Sequence, residues 1–423
     1  MKFQEMSKEQ LEEQLLKLRE EYESFKEKGL KLDMSRGKPG AVQLEISMPI
    51  LNEINSKSSM KASDGTDCRN YGLLDGIPEF KALYAELLDV NPDHIVVFGN
   101  SSLCIMFDYI SQCMTHGAGS TPWMLQGRIK FACPVPGYDR HFSILEYFGI
   151  EMVNVPMLAD GPDMDIMEEL VKDSTVKGFF CVPKYSNPQG KTFSDEVVRR
   201  IAALKPAAPD FRIIWDNAYS EHDLYEKGDK LLNIFAECEK YGSEDMIIEV
   251  ASTSKISFPG AGVSVLVASN NNIAAVKKRM FIQTIGYDKL NQLRLANYLK
   301  TAQGVKLHMK RLAAVLAPKF KVVLDALEQE LGGKGIAEWN NPNGGYFISL
   351  DVLDGCAKRT VDLCKQAGVV LTPAGATYPY GKDPKDANIR IAPTFPPVEE
   401  LKAAVGLLCL AVKLAAVEKL LEA

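Results

Sequence analysis

Residues 246–255 read MIIEVASTSK: an apolar run, then small hydroxyl residues, then a lysine. The run is rich in β-branched residues and nearly continuous, as expected of a strand covered on both faces. The same grammar recurs on either side. RIIWDNAY occupies 212–219, GFFCVPKYSNPQG 178–190, and VSVLVAS follows at 263–269. Farther out stand HIVVF at 94–98, FACPVP at 131–136 and EMVNVPM at 151–157. Helical stretches separate several of these runs, one opening at Ser101 and one near 138–148. Alternation of this kind indicates an α/β domain built on a mostly parallel, seven-stranded sheet flanked by helices.

Beyond the last run, residues 272–330 read as helical. GGYFISLDV and NIRIAP read as strands, and 397–422 as a terminal helix, so a smaller α+β unit follows the large one. At the other end, residues 7–27 are amphipathic, with Gly29 as a stop signal. Residues 33–49, DMSRGKPGAVQLEISMP, read as irregular. A chain of 423 residues, at roughly 100–200 per domain, suits this division. The expected segments are 1–50 as N-terminal arm and part of the small domain, 51–300 as the large domain, and 301–423 as the small C-terminal domain.

The net charge is −6, which argues against nucleic acid as the main partner. No run approaches the roughly 18 apolar residues of a membrane span, and the charged N-terminus lacks a secretory apolar core. Nine cysteines stand at wide spacings with no C-x-x-C, which signals neither zinc nor a redox dithiol. Small buried hydrophobes in a reducing, cytoplasmic setting are expected instead, and no metal site is foreseen.

In parallel α/β sheets ligands bind beyond the carboxyl ends of the strands, so the polar residues there are the candidates. Gly99-Asn100-Ser101-Ser102 turns a strand into a helix and presents backbone N–H groups and hydroxyls, a phosphate cradle or an ordinary N-cap. Asn187 lies in the turn after GFFCVP. Asp216 ends a buried strand, where a carboxylate needs a partner. Lys255 follows Ser252 and Ser254, and a buried lysine loses its proton readily enough for imine chemistry, though a single such lysine taken alone is more often a surface-loop residue. Arg390 interrupts an apolar strand, where its fork meets either a carboxylate ligand or an internal ion pair.

Taken in order, RNYGLLDGIPEFK, GNSS, PVPGYDRH, YSNPQG, WDNAY, STSK, TPAGATYPY and RIAPTFP resemble the fold-type-I pyridoxal-phosphate (PLP) aminotransferases of the aspartate aminotransferase group. The nearest likeness is a divergent bacterial subgroup similar to the aminotransferase part of MocR-type regulators. The likeness runs from about residue 33 to 415. It implies the PLP-dependent transferase fold and pyridoxal 5′-phosphate as cofactor. It implies a catalytic set of Lys255 as Schiff-base lysine and proton shuttle, Asp216 at the pyridinium nitrogen, and Tyr219. Asn187 and Tyr219 would bond the ring's phenolic oxygen, and Tyr138 would stack on the ring. Asn100, Ser101, Ser102, Ser252 and Ser254 would surround the phosphate, joined by Tyr71 from a partner subunit. Gly37, Asn187 and Arg390 would meet the substrate.

The activity implied is ping-pong transfer from aspartate, or a similar amino acid, to 2-oxoglutarate by a homodimer with shared active sites. Alanine or aromatic amino acids are alternative substrates, and a C–S lyase an alternative reaction. A ligand-binding regulatory module is a further alternative, although the stretch before SRGKPG is too short for a winged helix. Two departures stand out. Many relatives carry an arginine about eight residues after the lysine, where this chain reads ISFPGAGV. FIQTIGYDKL lacks the arginine used for a distal carboxylate. Arg36, Lys38, Arg128 and Lys289 are the candidate replacements.

Overall fold

The computed structural model describes residues 2–422. Every one of the seven apolar runs forms a strand of one sheet. Its order is Ile95–Phe98, Ser264–Ala268, Ile247–Ser252, Arg212–Asp216, Val176–Cys181, Lys130–Val135 and Glu151–Pro156. Only Ser264–Ala268 runs antiparallel to its neighbours. All but the edge strand Glu151–Pro156 are buried almost throughout, which explains why their sequences lack polar alternation. One apolar core lies on each face. Phe80, Phe179, Phe211 and Trp215 belong to one, and Ile110, Phe131, Ile214 and Leu266 to the other.

A third core joins the two ends of the chain. Ser7 caps the helix Lys8–Glu27 through a reciprocal box with Gln10. Leu11, Leu18 and Tyr22 of that helix pack with Leu407, Leu408 and Leu414 of Val398–Glu422. The latter helix buries nearly all its middle turns, so its sequence is apolar on every side. Leu32–Asp33 pairs in parallel with Val369–Val370. Asn388–Ile391, Ile348–Val352 and Ala337–Trp339 form a three-stranded antiparallel sheet.

Two expectations need correction. The helical stretch expected at 272–330 is three helices, Asn270–Gln283, Lys289–Leu299 and Ala302–Leu331. Lys300, at φ 63, breaks the last two apart. Residues 33–49 are not irregular throughout, because Ala41–Ser47 is helical. Tertiary contacts override the poor local signal there. The Gln43 side chain accepts from Gly40 N at 3.0 Å and donates to Tyr346 OH at 3.1 Å, fixing the helix start against the core.

Candidate active site

A cavity of about 910 Å³ opens at the carboxyl ends of the parallel strands. Strand-to-helix turns aim the side chains. Ser101 is the N-cap of the 15-residue helix Ser102–His116, and both serines line the cavity. The turn after Ile247–Ser252 brings in Ser252, Ser254 and Lys255. That turn is tied down by Thr253, whose N–H donates to Val263 O at 2.9 Å and whose Oγ1 accepts from Val263 N at 2.9 Å. Lys255 Nζ lies 4.7 Å from the centre of the Tyr219 ring. Burial pushes the Tyr219 hydroxyl well above its usual pKa and Tyr138 up to about 12. Both phenols are therefore neutral hydrogen-bonding groups at physiological pH.

Asp216 is buried at the end of its strand. His141 Nε2 lies 3.1 Å from its Oδ2, and Oδ1 has no hydrogen-bond partner among the described residues. His141 is itself stacked on Phe180, ring centres 4.6 Å apart and planes 17° apart, so its direction is fixed. Behind Asp216, Asn217 Nδ2 donates to Glu249 Oε1 at 2.8 Å. Burial raises that carboxyl to about 7, against the lowering effect of the Asn217 bond.

Across the cavity, Arg390 Nη1 donates to Asp139 Oδ1 at 2.7 Å and to Asn187 Oδ1 at 3.3 Å. Its Nε donates to Thr372 Oγ1 at 3.3 Å, and Thr372 in turn donates to Ser35 O at 2.8 Å. The guanidinium lies 4.9 Å from the centre of the Phe347 ring. A Cβ built on Gly37 would fall 2.5 Å from Phe347 Cζ, so only glycine lets the 35–38 segment lie this close.

Most of the residues singled out from the sequence thus meet in one cavity. Asn100 and Tyr71 stand apart. Asn100 does not line it, and its backbone carbonyl accepts from Ser254 Oγ at 2.8 Å, so it orients a serine. Tyr71 is 80% exposed on the outer surface. Of the cations considered, Arg36 and Lys38 line the cavity, whereas Arg128 and Lys289 do not. Sequence reasoning missed Asp139, His141 and Thr372, and the rim cations Arg140, Lys358 and Lys365. For His141 a signal existed: it follows the ring-stacking candidate Tyr138 by three residues at a helix start, and so shares its side.

These groups fit pyridoxal 5′-phosphate. An unpartnered carboxylate oxygen suits a cationic ring N–H, hydroxyls at a helix N-terminus suit a phosphate, and an amine stands beside them. Fold and cavity together define the class: an α/β aminotransferase that uses this cofactor. The family model described as aspartate amino-transferase matches residues 6–423. An aspartate aminotransferase from Corynebacterium glutamicum is 46% identical over 403 residues, covering 95% of this chain and 93% of that one. A crystal structure of an aspartate transaminase from the same species superposes with a TM-score of 0.97 at 44% identity, covering 99% of both chains. LysN, the α-aminoadipate aminotransferase of Thermus thermophilus, solved with N-(5′-phosphopyridoxyl)-L-leucine, shares the fold. Its TM-score is 0.75 at 20% identity, with 92% of this chain and 93% of that one covered. The chain belongs to the aspartate amino-transferase family.

Proposed function

We propose that this protein transfers the amino group of aspartate, or a closely similar amino acid, to 2-oxoglutarate by ping-pong chemistry, with Lys255 as its proton shuttle. The observation that carries this reading is the convergence of Lys255, Asp216 and Arg390, from three distant stretches of chain, on one cavity. Pyridoxal 5′-phosphate, when bound, supplies an electron sink for the charge left when a proton leaves the substrate Cα. Asp216 holds the cationic ring nitrogen, and His141 keeps that carboxylate in place. Ser101, Ser102, Ser252 and Ser254, with the helix N-terminus, hold the phosphate where relatives use an arginine. Tyr138 would cover the ring face, and Asn187 and Tyr219, which line the same cavity, would hydrogen-bond the phenolic oxygen. Arg390 grips the substrate α-carboxylate and so orients the Cα–H bond. Lys255 Nζ would take the Cα proton and deliver it to C4′ of the cofactor, two bonds away across the nitrogen.

The rim supports a dicarboxylic substrate. Arg36, Lys38, Arg140, Lys358 and Lys365 line the cavity, and none forms a salt bridge with another described residue. On a chain of net charge −6 this local excess draws dianions to the mouth. Gly37 leaves room for the segment carrying Arg36 and Lys38 to lie over the substrate.

The proposal extends to a cytoplasmic homodimer with shared sites. Tyr71, Phe281, Ile282 and Ile285 are 80%, 80%, 86% and 61% exposed. Gly286 lies against the Gly72 and Leu73 carbonyls, so the segments carrying Ile285 and Tyr71 adjoin, an exposed surface that suits a second copy and would bring Tyr71 to its phosphate. Nine free thiols, eight of them buried, suit a reducing compartment.

The test is a panel of amino acids mixed with the holoenzyme, scored by loss of the cofactor's absorbance at single turnover. Aspartate and glutamate are expected to react fastest, with recovery on adding 2-oxoglutarate. Release of pyruvate and ammonia without an oxo acid would replace transamination with elimination and overturn the reading.

A further inference from the structure

Arg390 lies within the strand Asn388–Ile391, and its side chain is only 7% exposed. A two-pronged grip on a substrate carboxylate needs Nη1, because Nε is already directed at Thr372. Yet Nη1 is where Asp139 Oδ1 sits, at 2.7 Å. The two partners are unequal. Arg390 is fixed by Thr372, Asn187 and the Phe347 ring. Asp139 is 31% exposed and opens the helix Asp139–Tyr147. A carboxylate in a helix's first turn is stabilised there by the unpaired N–H groups, and Arg140 is its neighbour. Asp139 can therefore turn away without becoming a stranded buried charge, whereas Arg390 cannot.

We propose that Asp139 is a resident competitor for the substrate carboxylate: it neutralises Arg390 between turnovers and is exchanged for the α-carboxylate of each incoming amino or oxo acid. This rests on the assignment of Arg390 to that carboxylate. Exchange of one anion for another on a fixed cation keeps the buried guanidinium paired throughout, which avoids the cost of leaving it alone. It also sets selectivity. An amine without a carboxylate has nothing to put in place of Asp139, so it gains nothing from Arg390. Affinity for true substrates is reduced by the fraction of enzyme in which Asp139 holds the site.

The experiment uses holoenzyme in four forms: wild type, Asp139→Asn, Asp139→Ser and Arg390→Ala. Succinate, an unreactive dicarboxylate, is titrated against the cofactor absorbance. KM is measured for aspartate and 2-oxoglutarate, and thermal unfolding is followed. Asp139→Asn is expected to bind succinate ~tenfold more tightly, to lower both KM values similarly, and to unfold at a lower temperature. Ethylamine, which has no carboxylate, should bind as it does to wild type. Opposite signs in affinity and stability are the signature, since a purely structural tie would lose both. Unchanged or weaker succinate binding in both Asp139 variants overturns the proposal, as does loss of the cofactor band in both. Arg390→Ala separates the two levels. If it leaves succinate binding intact, the carboxylate role of Arg390 fails. If it weakens succinate while the Asp139 variants do not tighten it, only the exchange fails.

Discussion

Lys255, Asp216 and the four serines stand at the ends of strands or the starts of helices in one sheet, whereas Arg390 draws its partners from residues 139, 187 and 372, the last of them tied to residue 35. The first group needs little beyond correct strand order to be in place. The second needs the N-terminal segment, the large sheet and the three-stranded sheet to be assembled together. The sheet end is thus suited to hold a cofactor permanently, and the Arg390 end to change partners with each substrate. The difference lies in how many independent elements must agree before a side chain is positioned.

At the Arg390 end the largest expected break is Arg390→Ala. It removes the proposed guanidinium grip on the α-carboxylate, so kcat/KM for aspartate should fall about 10²- to 10³-fold while cofactor absorbance stays normal. Steady-state kinetics beside an absorbance spectrum check both halves. A smaller effect on the same end is expected from Gly37→Ala. Its Cβ collides with Phe347, the ring beneath Arg390, and displaces the 35–38 segment. KM should rise about tenfold with kcat less affected, as initial rates at varied aspartate will show.

A third effect belongs to the sheet end and touches stability alone. Glu249 titrates at about 7 in the fold and near 4.5 when unfolded. Between those values the native state keeps a proton that the unfolded chain has released, so stability falls as pH rises through the window. Above about pH 7 the full penalty stands, on the order of 3 kcal/mol. Glu249→Gln keeps the hydrogen bond from Asn217 and removes the ionisation. Relative to wild type it should gain stability from about pH 5 to about pH 8, measured as the shift in denaturant midpoint, and gain nothing further above that.

The same contrast decides what was legible in the sequence. Most strands of the large sheet were readable because they are buried on both faces and so nearly continuously apolar, the half-buried edge strand Glu151–Pro156 being the exception. The polar residue after each run could be found by position alone, which is how Asp216 and Lys255 were reached. Arg390 was visible as a charge in an apolar strand, but Asp139 and Thr372 were not. Nothing local marks them, since their meaning comes from a guanidinium on another element, 18 residues from Thr372 and 251 from Asp139. The helix Ala41–Ser47 escaped for a related reason, because a Tyr346 hydroxyl from the distant three-stranded-sheet region secures its start.

The central claim is that Lys255 Nζ is the amine that bonds the cofactor. Holoenzyme treated with borohydride, digested and mapped by mass spectrometry tests it directly. The expected result is the reduced pyridoxyl group on the peptide containing Ser252-Thr253-Ser254-Lys255, with Lys255→Ala unlabelled and at least ~10⁴-fold slower. Label on any other lysine, or a Lys255→Ala enzyme that turns over normally, would contradict it.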